Sequence, residues 1–319
     1  MAATCQDLQK QLPVLFDVEA IIAAVSPRAD PEPLKVVLYQ ESERYNILLR
    51  KMKTTLAALI MGIAGTVVIT PELEQLFDAL LVGRVPSAWG FAYPSLKPLG
   101  LWMRDLLDRL KQLAMWAERG MPACFWLSGF TYPTGMLTAM LQVSAAALAA
   151  PSAGCLLPPF SLSLTHTHSH LRTHCTPPTP PPLPQTSARA NGLAIDNLEF
   201  EYPILQQSPE HLREGPKEGQ YIRGLFLEGA QWNKPDGCLM EPEPMQLFAP
   251  MPVVHFKPIE ARRERTKGIY KCPMYLYPVR TGTRERPSYM GVVDLKCAEG
   301  VEPSQWVKRG TALLLALAS

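Results

Sequence analysis

Apolar residues in the first half of the sequence recur at gaps of three, four and seven, the period of a helix with one buried face. From Val36 to about Ile63 they fall at Leu38, Tyr45, Leu48, Leu49, Met52, Leu56, Leu59, Ile60 and Ile63. The pattern predicts one long helix with Glu41, Glu43, Arg50, Lys51 and Lys53 on its polar face. A second helix has a clear start: Thr70 suits the N-cap, Pro71 the first helical position, and Glu72 and Glu74 the positive end of the dipole. Its stripe is Leu73, Leu76, Phe77 and Leu80. Residues 85–102 hold Pro86, Pro94 and Pro98 with Trp89, Phe91, Tyr93 and Trp102, too aromatic for a free linker. A third helix is expected from there to about Glu118, with Trp102, Leu106, Leu110, Leu113 and Ala117 on one face. Gly120 is placed to end it and Pro122 to prevent its return. A fourth begins near Thr134 and reaches at least Gln142.

The second half changes character. Candidate strands are Gln220–Trp232, Pro252–Ile259, Ile269–Val279, Tyr289–Cys297 and Thr311–Leu317, each rich in β-formers and bounded by Gly, Pro or charge. Helices first and strands after predict an α+β fold: an N-terminal helical layer followed by a small antiparallel β-barrel or sheet. The stretch 143–185 fits neither half. It has no Asp, Glu or Lys, a single Arg172, and nine of the 32 prolines. No period survives past Ala150, and the composition predicts a disordered insert between the two halves.

Composition narrows the function. The 319 residues are 47% hydrophobic and 19% charged, enough to bury a real core. A net charge of +2 supplies no field to attract nucleic acid or an anionic membrane. Seven scattered cysteines without a C-x-x-C pair fit reduced thiols better than a disulfide framework. The start has no apolar core of a secretory signal. The apolar runs 56–69 and 136–150 fall short of the ~20 residues a membrane span needs, and they are expected to be buried helix.

Candidate chemistry concentrates in one place. His166, His168, His170, His174 and Cys175 offer imidazole and thiolate, the usual zinc ligands. Their neighbours are Thr, Ser and Pro in the charge-poor tract, which gives ligands no packed support, so no metal site is expected. Gly62 and Gly65 lack the following Lys and Ser/Thr of a phosphate loop and read as helix packing. His211 and His255 stand alone, and the basic run 261–271 reads as a solvated hairpin loop. No catalytic, cofactor-binding or metal residues are assigned.

Longer motifs carry a resemblance. "VVLYQESERYNILLRKMKTTL" (36–56), "VPSAWGFAYPSLKPLGLWMRDLLDRL" (85–110), "FWLSGFTYPTGMLTAMLQ" (125–142), "YIRGLFLEGAQWN" (221–233), "LFAPMPVVHFKP" (247–258), "YKCPMYLYPVRTGT" (270–283) and "WVKRGTALLLAL" (306–317) follow one another in order. Together they resemble the C-terminal domain of dynein heavy chains of the axonemal type. The resemblance covers most of 36–142 and 188–319. It implies a domain that follows the sixth AAA+ module, lies across one face of the ring and braces it, with helices preceding a small barrel. It also implies that ATP and Mg²⁺ sites lie upstream in the parent motor. The partners implied are the AAA+ ring and, through the parent, intermediate and light chains and microtubules. The implied location is the cytoplasm, cytoskeleton and the axoneme of a cilium or flagellum. Packing residues such as Trp102, Trp126 and Trp232 would carry the mechanical role.

Residues 1–35 match poorly and are expected to be a lead-in from the last AAA+ module. The sequence departs from the family after Thr283, where one hairpin is shortened or altered, and at 143–185. Val143-Ser144 is what a read-through splice donor encodes. The proline run to Gln185 is what a pyrimidine tract ending in CAG encodes, and "THTH" is what a CA repeat encodes. The insert therefore reads as a retained intron. Two rivals remain: a free-standing protein-binding module using the β half and the 261–271 loop, and a zinc protein using 166–175. The first predicts a saturable partner for a stable monomer, the second stoichiometric metal that survives dialysis.

Overall fold

The computed structural model describes residues 1–25, 32–93, 95–149, 198–259, 267–278 and 288–316. The long helix is α3, Pro33–Ile63, and α1 (Ala2–Gln11) and α2 (Val18–Val25) pack against it. α4 (Pro71–Leu81), α5 (Leu99–Arg119) and α6 (Pro133–Ala149) complete the helical layer. The expected stripe of α3 is buried from Leu38 through Leu59, while Ile63 stays exposed. Burial of each such residue contributes roughly 1.5–3 kcal/mol. Thr70 caps α4 by accepting from the Leu73 amide, with Pro71 in the first turn. Gly120 ends α5 at φ +85, a value that favours glycine. In the aromatic connector, Trp89 and Tyr93 stack on Trp102, with ring centroids 6.2 and 5.7 Å away.

Residues 1–35 are more than a lead-in. Cys5, Leu8, Leu12 and Ile21 enter the common core, and the Asn46 side chain exchanges two hydrogen bonds with the Phe16 backbone, at 2.8 and 2.9 Å. α1 and α2 are short, at 10 and 8 residues, and they pack along the longer face of α3. At the other end, α6 continues to Ala149, past the expected insert boundary at Gln142. Val143–Ala149 is an Ala-rich run of good helix formers, and Ala145 is buried. The rest of 143–185 lies outside the described residues.

The β half is built from short strands: β1 (Cys124–Trp126), β2 (Glu199–Glu201), β3 (Gln220–Arg223), β4 (Phe226–Glu228), β5 (Gln231–Asn233), β6 (Cys238–Met240), β7 (Phe248–Pro250), β8 (Val254–Ile259), β9 (Ile269–Tyr275), β10 (Tyr289–Lys296) and β11 (Ala312–Leu314). They form sheets ordered β1-β3-β8-β2, β10-β9-β11-β4-β7 and β5-β6. The fold is α+β as expected, but among the described residues the sheets do not close into a barrel. The run expected as one strand, Gln220–Trp232, is three strands in three sheets. Gly224 (φ +78) and Gly229 (φ +70) turn the corners. The expected C-terminal strand also divides. Trp306 lies in a short helix α7 (Pro303–Arg309), which Pro303 starts and Gly310 (φ +68) ends, and only Ala312–Leu314 is strand.

Candidate functional site

The most unusual chemistry lies where the two halves meet. The segment 124–132 is irregular: three residues of strand, a 3-10 turn at Leu127–Gly129, then the approach to α6. Such backbone cannot satisfy its own amides, and buried amides need partners. Side chains from α3 and α5 supply them. Glu41 accepts from the Thr131 amide (2.6 Å), the Thr131 hydroxyl (2.9 Å) and the Tyr132 amide (3.1 Å). Arg44 donates to the same carboxylate at 2.8 Å. The carboxylate thus sits at the amino-terminal end of α6, where the helix dipole favours negative charge. The sequence pattern puts Glu41 on the polar face of its helix, yet only 1% of it is exposed. A signal for burial is present in the spacing: Glu41 follows Leu38 by three and precedes Tyr45 by four, so it falls on the apolar stripe.

Two further side chains complete the clasp. The Tyr45 hydroxyl donates to the Gly129 carbonyl at 2.9 Å. Gln112 behaves like a neighbouring strand, accepting from the Trp126 amide (2.7 Å) and donating to the Trp126 carbonyl (3.1 Å). Held this way, β1 pairs in parallel with β3, Cys124 opposite Tyr221 and Trp126 opposite Arg223. A Cβ on Gly224 would lie 2.6 Å from the Trp126 ring, so only glycine lets the corner between β3 and β4 approach. Of the three expected packing tryptophans, Trp102 is buried, whereas Trp126 and Trp232 are half-buried.

Behind the clasp lies a buried ion pair. Arg109 Nε donates to Asp105 at 2.7 Å, and Lys97 donates to the other carboxylate oxygen at 3.0 Å. The Arg109 guanidinium lies 4.0 Å from the Tyr93 ring centroid. Burial works against its charge, but Tyr45, Asp105 and Tyr93 more than offset this and raise its pKa. Burial pushes the Tyr45 and Tyr93 hydroxyls above the ordinary tyrosine range. Burial also pushes the Cys124 thiol up to about 11, which keeps it protonated and unreactive at neutral pH. The Tyr45 hydroxyl pins backbone, whereas Arg109 and Lys97 bind Asp105.

Other candidates stand apart. A cavity of about 730 Å³ opens between the α1–α2 link, the start of α3 and the end of α5, walled by Phe16, Ile21, Leu38, Leu110 and Trp116. The histidine cluster 166–175 lies outside the described residues, as do 261–266 of the basic run and 284–287 after Thr283. Among the described residues no group of three His, Cys, Asp or Glu could hold a metal ion, and no helix is long and apolar enough to cross a membrane. His255 rests its Nε2 2.7 Å from the Glu218 carbonyl, and His211 lies in a separate 3-10 turn. Gly62 serves packing: a Cβ there would lie 3.1 Å from Ile69.

The family model for the C-terminal domain of dynein heavy chains matches residues 1–154 and 183–315. The match includes residues 1–35, in line with their packing, and leaves only 155–182 of the insert uncovered. The Dynein-1-beta heavy chain of the flagellar inner arm I1 complex of Chlamydomonas reinhardtii is 44% identical over 99% of the present sequence. Dynein axonemal heavy chain 2 of Homo sapiens is 38% identical over 98% of it, and Dynein axonemal heavy chain 1 of Homo sapiens is 31% identical over the same share. The chain spans about 6% of the length of each of these relatives. It belongs to the family of C-terminal domains of dynein heavy chains, and its relatives are axonemal heavy chains.

Proposed function

We propose that this chain is the C-terminal, ring-bracing structural domain of an axonemal dynein heavy chain, serving microtubule-based movement in a cilium or flagellum. The observation that carries this reading is the clasp at 124–132. It ties α3, α5 and α6 to the β1–β3 sheet, so force applied to the helical layer passes into the β half through packed, hydrogen-bonded groups. A brace needs such continuity, whereas a catalyst needs a reachable constellation of reactive groups. ATP and Mg²⁺ would be bound by the upstream AAA+ ring of the parent. Intermediate chains, light chains and microtubules would be its partners only through that parent.

The test is a full-length heavy chain with and without this domain. Removing it should leave nucleotide binding at the ring intact and change gliding velocity on microtubules, or the force at stall, at least twofold. Unchanged velocity and force would sink the bracing role. The domain itself should show no heat of binding with Mg-ATP; a single micromolar site by calorimetry would overturn the non-catalytic reading.

A further inference from the structure

The cavity between the α1–α2 link, α3 and α5 is too large to be a packing fault. Interiors pack with few voids larger than a water molecule, and even a cavity of ~150 Å³ with apolar walls takes up benzene. This one holds about 730 Å³, within the ~300–1,000 Å³ of small-molecule sites. Its walls are fixed. Lys53 on α3 donates to the Pro13 carbonyl at 2.7 Å, and Asn46 on the same helix holds the Phe16 backbone. Asp17 caps α2 by accepting from the Ala20 amide at 3.0 Å. On the α5 side, Trp116 meets Phe125 edge-on, with ring centroids 5.0 Å apart. The irregular link is therefore pinned to α3 in one shape, and the space between it and α5 is preformed.

We propose that this cavity is a binding site for an amphipathic monoamine, a drug-sized molecule with an apolar body and one protonated nitrogen. The site is independent of the bracing role. Its floor takes only apolar groups, since Ile21, Leu38, Leu110 and Trp116 are buried there. The rim selects the head group. Lys35 is answered by Glu32 at 3.1 Å. Asp17 keeps one carboxylate oxygen beyond its bond to Ala20. Glu118 and Lys111 also line the site, both exposed and without a partner among the described residues. Glu118 lies in the last turn of α5, where the helix dipole is negative, and Gly120 lines the same end. A protonated nitrogen there meets carboxylate and dipole together. Lys111 stands seven residues back, about 10 Å along the helix, and opposes a cation at that end only weakly. To an anionic head, Lys111 offers a single solvent-screened charge with no dipole behind it.

The experiment irradiates a full-length heavy chain that includes this domain with naphthylethylamine carrying an aryl-diazirine, and maps the labelled peptides by mass spectrometry. Labels are expected within 13–21 and 107–121. Unmodified naphthylethylamine should compete at micromolar concentration, and naphthylacetate should need at least tenfold more. Glu118→Gln should bring that preference below threefold, whereas Lys111→Gln should leave it intact or raise it. Ala117→Trp, which narrows an exposed part of the rim, should lower labelling at least tenfold while melting within a few degrees of the parent. Labels only elsewhere, no labels, equal competition by amine and acid, or a preference untouched by Glu118→Gln would each overturn the proposal. If Ala117→Trp unfolds the domain, the amine-to-acid ratio on the parent still decides.

Discussion

Among the described residues, the helical half encloses whole charged side chains and the β half does not. Glu41, Asp105 and Arg109 are all enclosed between helices, whereas the buried polar groups of the β half are the neutral Gln220, Ser288 and Thr311. The difference follows from what each half must satisfy. In the β half the backbone pairs with itself along ladders such as β9–β10, which runs from Tyr275–Tyr289 to Ile269–Lys296, so apolar packing suffices. Around 124–132 no ladder serves Thr131 or Tyr132, and a carboxylate must do so. Desolvating a charge is costly, and it is tolerated where several donors converge on it.

The strongest way to break this contrast is Glu41→Ala. It strands two amides and Arg44, and should destabilise by about 3–5 kcal/mol. A denaturant midpoint unchanged from the parent would mean that the clasp does not hold the segment. In the β half, the largest effect should come from packing: Trp306→Ala, at 2% exposure, should cost roughly 3 kcal/mol or more. Gln112→Ala removes two bonds to Trp126 and should cost about 1–3 kcal/mol. Thr311→Val, losing one 3.4 Å contact to the Gly229 carbonyl, should cost less than about 1 kcal/mol. If the order of these last two were reversed, side-chain hydrogen bonds would matter more to the β half than to the clasp.

The smallest effect at neutral pH sharpens the comparison at high pH. The Tyr93 hydroxyl finds no hydrogen-bond partner among the described residues, so Tyr93→Phe should change stability near pH 7 by under about 0.5 kcal/mol. Its pKa is raised on folding, chiefly by burial. The unfolded protein therefore releases this proton first: the contribution is intact below the ordinary tyrosine value near 10 and is lost as pH rises above it. The parent should lose stability between about pH 10 and 11.5 more steeply than the Phe variant; equal slopes in urea melts would show that Tyr93 is not buried as described.

Composition sets the N-terminal boundary of the insert at Gln142, and composition is blind to a helix that carries on without charge. Val143–Ala149 continue α6 because alanine-rich sequence costs little in a helix, whatever its origin. Deleting 155–182 should accordingly leave the melting temperature unchanged or raised, with or without chelator, whereas cutting from 143 removes the buried Ala145. Glu41 shows a parallel failure. Its spacing places it on the buried stripe, but its charge suggests solvent.

Periodicity and capping chemistry determined the helices α3 to α5, their starts at Thr70–Pro71 and their stop at Gly120, because those choices depend on neighbours within a few residues. The β-former content of the second half, bounded by Gly, Pro or charge, likewise located β8, β9 and β10. Motif order was enough to indicate the family. Only the tertiary structure decided that Gln220–Trp232 divides among three sheets, that β1 leaves the helical half to pair in parallel with β3, and that Glu41, Tyr45 and Gln112 close on one irregular segment. The side-chain bonds of Tyr45 and Glu41 join residues 84 to 91 positions apart, and those of Gln112 span 14. No local period encodes such contacts; they arise when packing brings together groups whose hydrogen bonds water can no longer satisfy.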